Sequence, residues 1–128
     1  MPSRKMRAIK KSILVVDDNQ ITLKILKRIL SNSGYAVLPA TNGTDAVMIA
    51  KDKRPDLLLL DIALPDIDGI QVARRLKDDP STKHIPVIFL SSLLEEEIRK
   101  KITACPDSRF LHKPFNAETL LAEIGQYI

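Results

Sequence analysis

Tryptophan is absent from this chain of 128 residues, and its only aromatic side chains are three phenylalanines and two tyrosines. A core built from it must be aliphatic. A single cysteine, Cys105, rules out an internal disulfide and any cage of cysteine thiolates around a metal. No apolar run approaches the roughly 20 residues needed to span a bilayer. The run at residues 13–16 follows a basic start, but Asp17 and Asp18 cut it off far short of a secretory signal. Internal repeats and low-complexity segments are lacking too. These absences lead us to expect a soluble, cytoplasmic protein with no membrane partner.

What is present suits one compact globular domain, with 45% hydrophobic and 28% charged residues. The net charge of +4 is unevenly placed. Arg4, Lys5, Arg7, Lys10 and Lys11 have no acidic neighbour in residues 1–11, which leaves fifteen basic against sixteen acidic side chains in the remainder. The basic excess therefore belongs to a flexible tail over 1–11, and the domain proper, 12–128, is near neutral. No nucleic-acid-reading element accompanies the tail, so direct DNA binding is not expected.

From residue 12 onward, strand and helix patterns alternate. Residues 12–16 read as a β-branched strand, and Ile21, Ile25, Ile29 and Leu30 then recur at helical spacing until Ser31-Asn32-Ser33-Gly34 stops the helix. A second strand is expected over 35–38. Asn42-Gly43-Thr44 opens a helix with Ala46, Val47, Ile49 and Ala50 inward, and Arg54-Pro55 breaks it. Residues 57–60, LLLL, read as a strand covered on both faces. Ile70, Val72, Ala73 and Leu76 mark a third helix, 86–90 a fourth strand, and Leu94, Ile98 and Ile102 a fourth helix with a charged outer face. A fifth strand over 110–112 precedes a final helix capped by Asn116 and carrying Leu120, Leu121 and Ile124. Alternation of this kind predicts an α/β fold with a parallel sheet and helices on both faces.

In such a sheet the carboxyl ends of the strands share one edge, where ligands bind. Asp17 and Asp18 follow the first strand, Asp61 ends the third, Ser91 the fourth, and Lys113 follows the fifth. Three carboxylates gathered there resist ionising together unless a cation neutralises them, and Mg²⁺ favours such an all-oxygen site. The set suits acyl-phosphate chemistry, which rests on positioning and charge stabilisation. Asp61 can accept the phosphoryl group, Asp17 and Asp18 can hold the metal, Lys113 supplies a cation and Ser91 a hydroxyl. Asp66 and Asp68 read as loop and helix-capping residues, Ser92 as a small spacer, and His84 and His112 as structural or surface residues.

Asp17-Asp18, Asp61-Ile62-Ala63-Leu64-Pro65, Ser91-Ser92 and Lys113-Pro114-Phe115, in this order at successive strand ends, resemble the response-regulator receiver domain of two-component signalling, in particular its single-domain chemotaxis type. The likeness covers residues 12–128. It implies a flavodoxin-like, doubly wound sheet of five strands in the order 2-1-3-4-5 with five helices. It implies Asp61 as phosphoacceptor, Mg²⁺ held by Asp17, Asp18, Asp61 and the Ala63 backbone carbonyl, and Ser91 and Lys113 on the phosphoryl group. Ser91 and Phe110 would form the switch, and the Lys113-Pro114 bond would be cis. The implied donor is a sensor histidine kinase or a histidine phosphotransfer protein. A downstream protein would bind the surface of the fourth helix, fifth strand and fifth helix. Such a domain is a signalling phosphoacceptor rather than an enzyme, with only self-phosphotransfer and slow dephosphorylation of its own.

The chain departs from the family pattern before the fifth strand, where Ala104-Cys105-Pro106-Asp107-Ser108 replaces a small-residue segment, and at Phe110, which has no hydroxyl. Ala63 and Leu93, two positions beyond the acceptor and the hydroxyl residue, cannot orient a water. Three other readings compete. A haloacid-dehalogenase-type phosphatase needs a second aspartate where Ala63 stands. A flavodoxin would not place Asp17-Asp18 against a phosphate. A degenerate receiver acting as a scaffold would lack one of the five key residues, all of which are kept here.

Overall fold

The computed structural model describes residues 10–92, 97, 100 and 109–128. Strands β1 (Ser12–Val16), β2 (Ala36–Ala40), β3 (Leu57–Asp61), β4 (Val87–Ser91) and β5 (Arg109–His112) alternate with helices α1 (Gln20–Asn32), α2 (Gly43–Lys53), α3 (Gly69–Lys77) and α4 (Ala117–Gly125). The strands form one parallel sheet in the order β2-β1-β3-β4-β5, as expected. The expected fourth helix falls almost wholly outside the described residues, although Glu97 and Lys100 are helical. The basic tail up to residue 9, Leu93 and Cys105 also lie outside them. Among the described residues, no helix is long and apolar enough to cross a membrane.

Successive strand side chains point to opposite faces, and the sheet builds one core from each set. Leu14, Val16, Leu58, Leu60, Val87 and Phe89 pack against α2 and α3. Ile13, Val15, Leu57, Leu59, Ile88 and Leu90 pack against α1 and α4. Residues 57–60 are completely buried in the middle of the sheet, and each such leucine contributes about 1.5–3 kcal/mol.

Two expectations are corrected. The second strand runs on through Pro39 to Ala40 instead of ending at Leu38. Proline lacks an N–H, but β2 is an edge strand with one side unpaired, so the ladder tolerates it. The isoleucine stripe of α1 is not its core face. Leu23, Leu26 and Leu30 are buried, whereas Ile21 and Ile25 are 69% and 51% exposed. The helix ends are as expected. Asn42, Asp68 and Asn116 cap α2, α3 and α4 with their side-chain oxygens, and Arg54 closes α2 in the left-handed region at φ 46°. His84 and His112 are exposed.

Candidate functional site

The parallel arrangement delivers Asp17, Asp61, Ser91 and Lys113 to one edge. Asp17 follows β1 and is fully buried, its N–H held by the Ala40 carbonyl at 3.1 Å. Asp61 ends β3 and Ser91 ends β4, both almost fully buried. Lys113 follows β5, and its N–H donates to the Ser91 carbonyl at 2.7 Å, which ties the two strand ends together. The Lys113-Pro114 bond is cis.

Lys113 Nζ donates to Asp17 Oδ2 at 2.7 Å and to Asp61 Oδ2 at 3.2 Å, bridging residues 96 and 52 positions away. Asp17 Oδ1 accepts the Asn19 N–H at 2.9 Å, and Asp61 Oδ1 accepts the Ala63 N–H at 3.1 Å. Asp18 is exposed at the rim, and Asp17, Asp18 and Asp61 each present an oxygen within 4.8 Å of the others. Oxygens around Mg²⁺ at about 2.1 Å lie about 3–4 Å apart, so small side-chain movements gather these three. The donor set, three carboxylates against one ammonium, fits a hard cation.

The electrostatics express the same imbalance. Burial, and then the neighbouring charge of Asp17, raise the Asp61 pKa above the ordinary carboxylate value, despite the opposing Lys113 charge and Ala63 N–H. For Lys113 burial favours the neutral amine, but the hydrogen bond to Asp17 and the charges of Asp61 and Asp17 outweigh it, and its pKa is raised. The ammonium therefore persists at neutral pH.

A raised carboxylate pKa means that ionised Asp61 destabilises the metal-free fold above its folded pKa. The penalty shrinks as pH falls through that value and vanishes below the unfolded one. Asp61→Ala leaves Lys113 on Asp17 and the Ala63 N–H open to solvent. Metal-free Asp61→Ala should therefore melt higher than the parent at neutral pH, by roughly 4 °C if the relief is about 1 kcal/mol. Thermal unfolding from neutral to acid pH checks this, the gap narrowing on acidification. A lower melting point for the variant would contradict it.

Phe110 pairs with Phe89 across β4 and β5 and is half-buried against the α2–α3 side core. Sequence reasoning missed two features beside the site. Asn19 caps α1 while its N–H orients Asp17, and an asparagine just before the periodic apolar positions of the first helix was the available signal. Asp66 caps α2, a helix that precedes it in sequence, through Gly43 and Thr44; nothing local to Asp66 signals that.

The family model described as response regulator receiver domain matches residues 13–125. The polar-differentiation response regulator DivK of Brucella anthropi is 32% identical over 118 residues, covering 92% of this chain and 96% of that protein. Among solved structures, the Vibrio cholerae chemotaxis protein CheY4 superposes with a TM-score of 0.87 at 26% identity, covering 94% of this chain and all of that one. The receiver domain of the Pseudomonas aeruginosa sensor histidine kinase PA1611, which has a magnesium ion coordinated in its active-site cleft, also gives a TM-score of 0.87 at 26% identity. That match covers 93% of this chain and 98% of the other. A match that runs from the first strand into the last helix, with the acidic edge in place, makes this chain a member of the response-regulator receiver family.

Proposed function

We propose that Asp61 takes a phosphoryl group from the phosphohistidine of a sensor kinase or phosphotransfer protein, and that Asp17, Asp18, Asp61 and the Ala63 carbonyl hold Mg²⁺. The reading is carried by the convergence of three carboxylates at the carboxyl edge of the sheet, two of them bonded to the Lys113 ammonium. The cation, when bound, supplies the positive charge that lets anionic carboxylate and phosphoryl oxygens approach each other. An Asp61 oxygen attacks phosphorus as the bond from phosphorus to the histidine nitrogen breaks, and the donor imidazole leaves. Lys113, kept protonated by its neighbours, can follow the phosphoryl oxygens. Ser91 offers its hydroxyl from the end of β4. Movement of Ser91 toward the phosphoryl group, with inward repacking of Phe110, would couple the site to the surface of the fourth helix, β5 and α4. The chain is then a phosphoacceptor with slow self-dephosphorylation. Intact-mass measurement after mixing with acetyl phosphate and Mg²⁺ tests the reading. One added phosphoryl group that disappears with chelator is expected, and no mass change would refute it.

A protein donor must surround the site to bring its phosphohistidine in line with Asp61. Exposed Ile25 lies beside it, in a shallow groove with Thr22, Lys113, Pro114 and Phe115, and Ile21 and Ile25 are both open to solvent. Apolar side chains in this position suit a contact with the donor. Ile25→Glu should slow transfer from a phosphorylated protein donor about tenfold, the loss of about 1.4 kcal/mol of contact, while uptake from acetyl phosphate is unchanged. Equal slowing with both donors would place the effect in the chemistry instead.

A further inference from the structure

We propose that Asp66 is a positioning residue for the cation site. Its carboxylate joins the loop after β3 to the first turn of α2, and so holds the Ala63 carbonyl beside Asp61. The proposal rests on the reading of Asp17, Asp18, Asp61 and Ala63 as the Mg²⁺ ligands.

Asp66 Oδ1 accepts the Gly43 N–H at 2.8 Å, and Oδ2 accepts the Thr44 N–H at 2.9 Å together with the Thr44 hydroxyl. A helix leaves its first N–H groups without internal partners. The side chain of the local cap, Asn42, takes the Asp45 N–H of α2, and its carbonyl takes that of Ala46. Asp66 reaches back 22 and 23 positions to satisfy the two that Asn42 leaves. The Thr44 hydroxyl, followed by the amide donors, holds the Asp66 carboxyl well below the usual carboxylate range, so the bridge is anionic at neutral pH. Hydrogen bonds to an ionised acceptor are the stronger kind.

The rest of the loop is built for the same closeness. Its base is closed by the Gly69 N–H on the Ile62 carbonyl at 2.8 Å. A Cβ on Gly69 would lie 2.3 Å from the Asp61 carbonyl oxygen, so only glycine lets the chain return against the acceptor's own backbone. A Cβ on Gly43 would lie 2.3 Å from Ile67 Cγ1, so glycine also lets the loop press onto α2. Between the buried Ile62 and the Asp66 bridge stand only Ala63, Leu64 and Pro65. Leu64 packs on the core and Pro65 has a fixed φ, which leaves the Ala63 carbonyl little freedom while Asp66 is held. Released from α2, that carbonyl would need ordering each time a cation binds.

The experiment titrates Mg²⁺ into the parent, Asp66→Asn, Thr44→Val, Thr44→Ser and Asp17→Asn, following the Asp61 and Ala63 amide resonances by NMR, with thermal unfolding recorded for each. Asp66→Asn and Thr44→Val should remain folded and bind Mg²⁺ about tenfold more weakly, the lower end of what outer partners of a metal ligand supply. Thr44→Ser, which keeps the hydroxyl, should bind as the parent does. Asp17→Asn binding as tightly as the parent would overturn the cation site and the positioning role with it. Loss of binding in Asp17→Asn with unchanged affinity in Asp66→Asn and Thr44→Val would overturn the positioning role alone. Should Asp66→Asn fail to fold, Thr44→Val decides.

Discussion

Asp61→Ala is expected to abolish phosphoryl uptake from acetyl phosphate, with the rate falling by at least about a thousandfold, as removal of a covalent nucleophile does. The neighbouring carboxylates are poor substitutes. Asp17 is fully buried, with both oxygens committed, one to the Asn19 N–H at 2.9 Å and one to Lys113 at 2.7 Å. Asp61 is held by the longer bonds, 3.1 Å to Ala63 and 3.2 Å to Lys113, and its side chain keeps 9% exposure against 1% for Asp17. Of these two acids Asp61 keeps the more accessible side chain. Asp18 is open to solvent, but the Lys113 ammonium lies on Asp17 and Asp61. Phosphoryl transfer depends on charge placed where the transition state develops it, so a carboxylate away from that charge should react slowly. Intact-mass kinetics decide the matter. A one-phosphoryl increase in Asp61→Ala at the parent's rate would move the acceptor elsewhere. The variant should melt higher than the metal-free parent, so lost uptake could not be ascribed to unfolding.

Much of this was legible because the chemistry sits where strands stop, and strands of buried aliphatic residues are easy to delimit. The run LLLL reads as a strand covered on both faces, and Asp61 at its end then falls at the sheet edge. The face of α1 was not legible. Its isoleucines and its leucines each recur at helical spacing, about a third of a turn apart, and periodicity cannot choose between two apolar stripes. The sheet chooses the leucines, and Ile21 and Ile25 are left exposed, Ile25 in the groove beside Lys113. Pro39 misled for a related reason. Whether proline can continue a strand depends on whether that strand is an edge, which is a property of the whole sheet. Asp66 shows the limit most plainly. Its place in the chain suggests a loop or capping residue, and it is a cap, but for a helix that ends before β3 begins.

Once formed, the phosphorylated state should be long-lived. Hydrolysis of an acyl phosphate at Asp61 needs a water held in line with phosphorus, opposite the Asp61 oxygen. Ala63 is exposed, and its N–H lies on Asp61 Oδ1, which puts this residue beside the carboxylate. A methyl group can neither accept nor donate a hydrogen bond, so a water beside it stays unoriented. Leu93, the other residue expected to matter, lies outside the described residues, and the prediction therefore stands on Ala63. Ala63→Asn places an amide at an exposed position without disturbing the backbone carbonyl proposed as a metal ligand. It should speed loss of the phosphoryl group about 10- to 100-fold, the scale on which orientation of a reactant acts. Decay of the purified phosphoprotein after removal of the donor measures this, with Mg²⁺ saturating in both proteins. Faster decay together with unchanged Mg²⁺ affinity would locate the effect in the water. Equal decay rates in parent and variant would mean that the side chain at position 63 does not reach the line of attack.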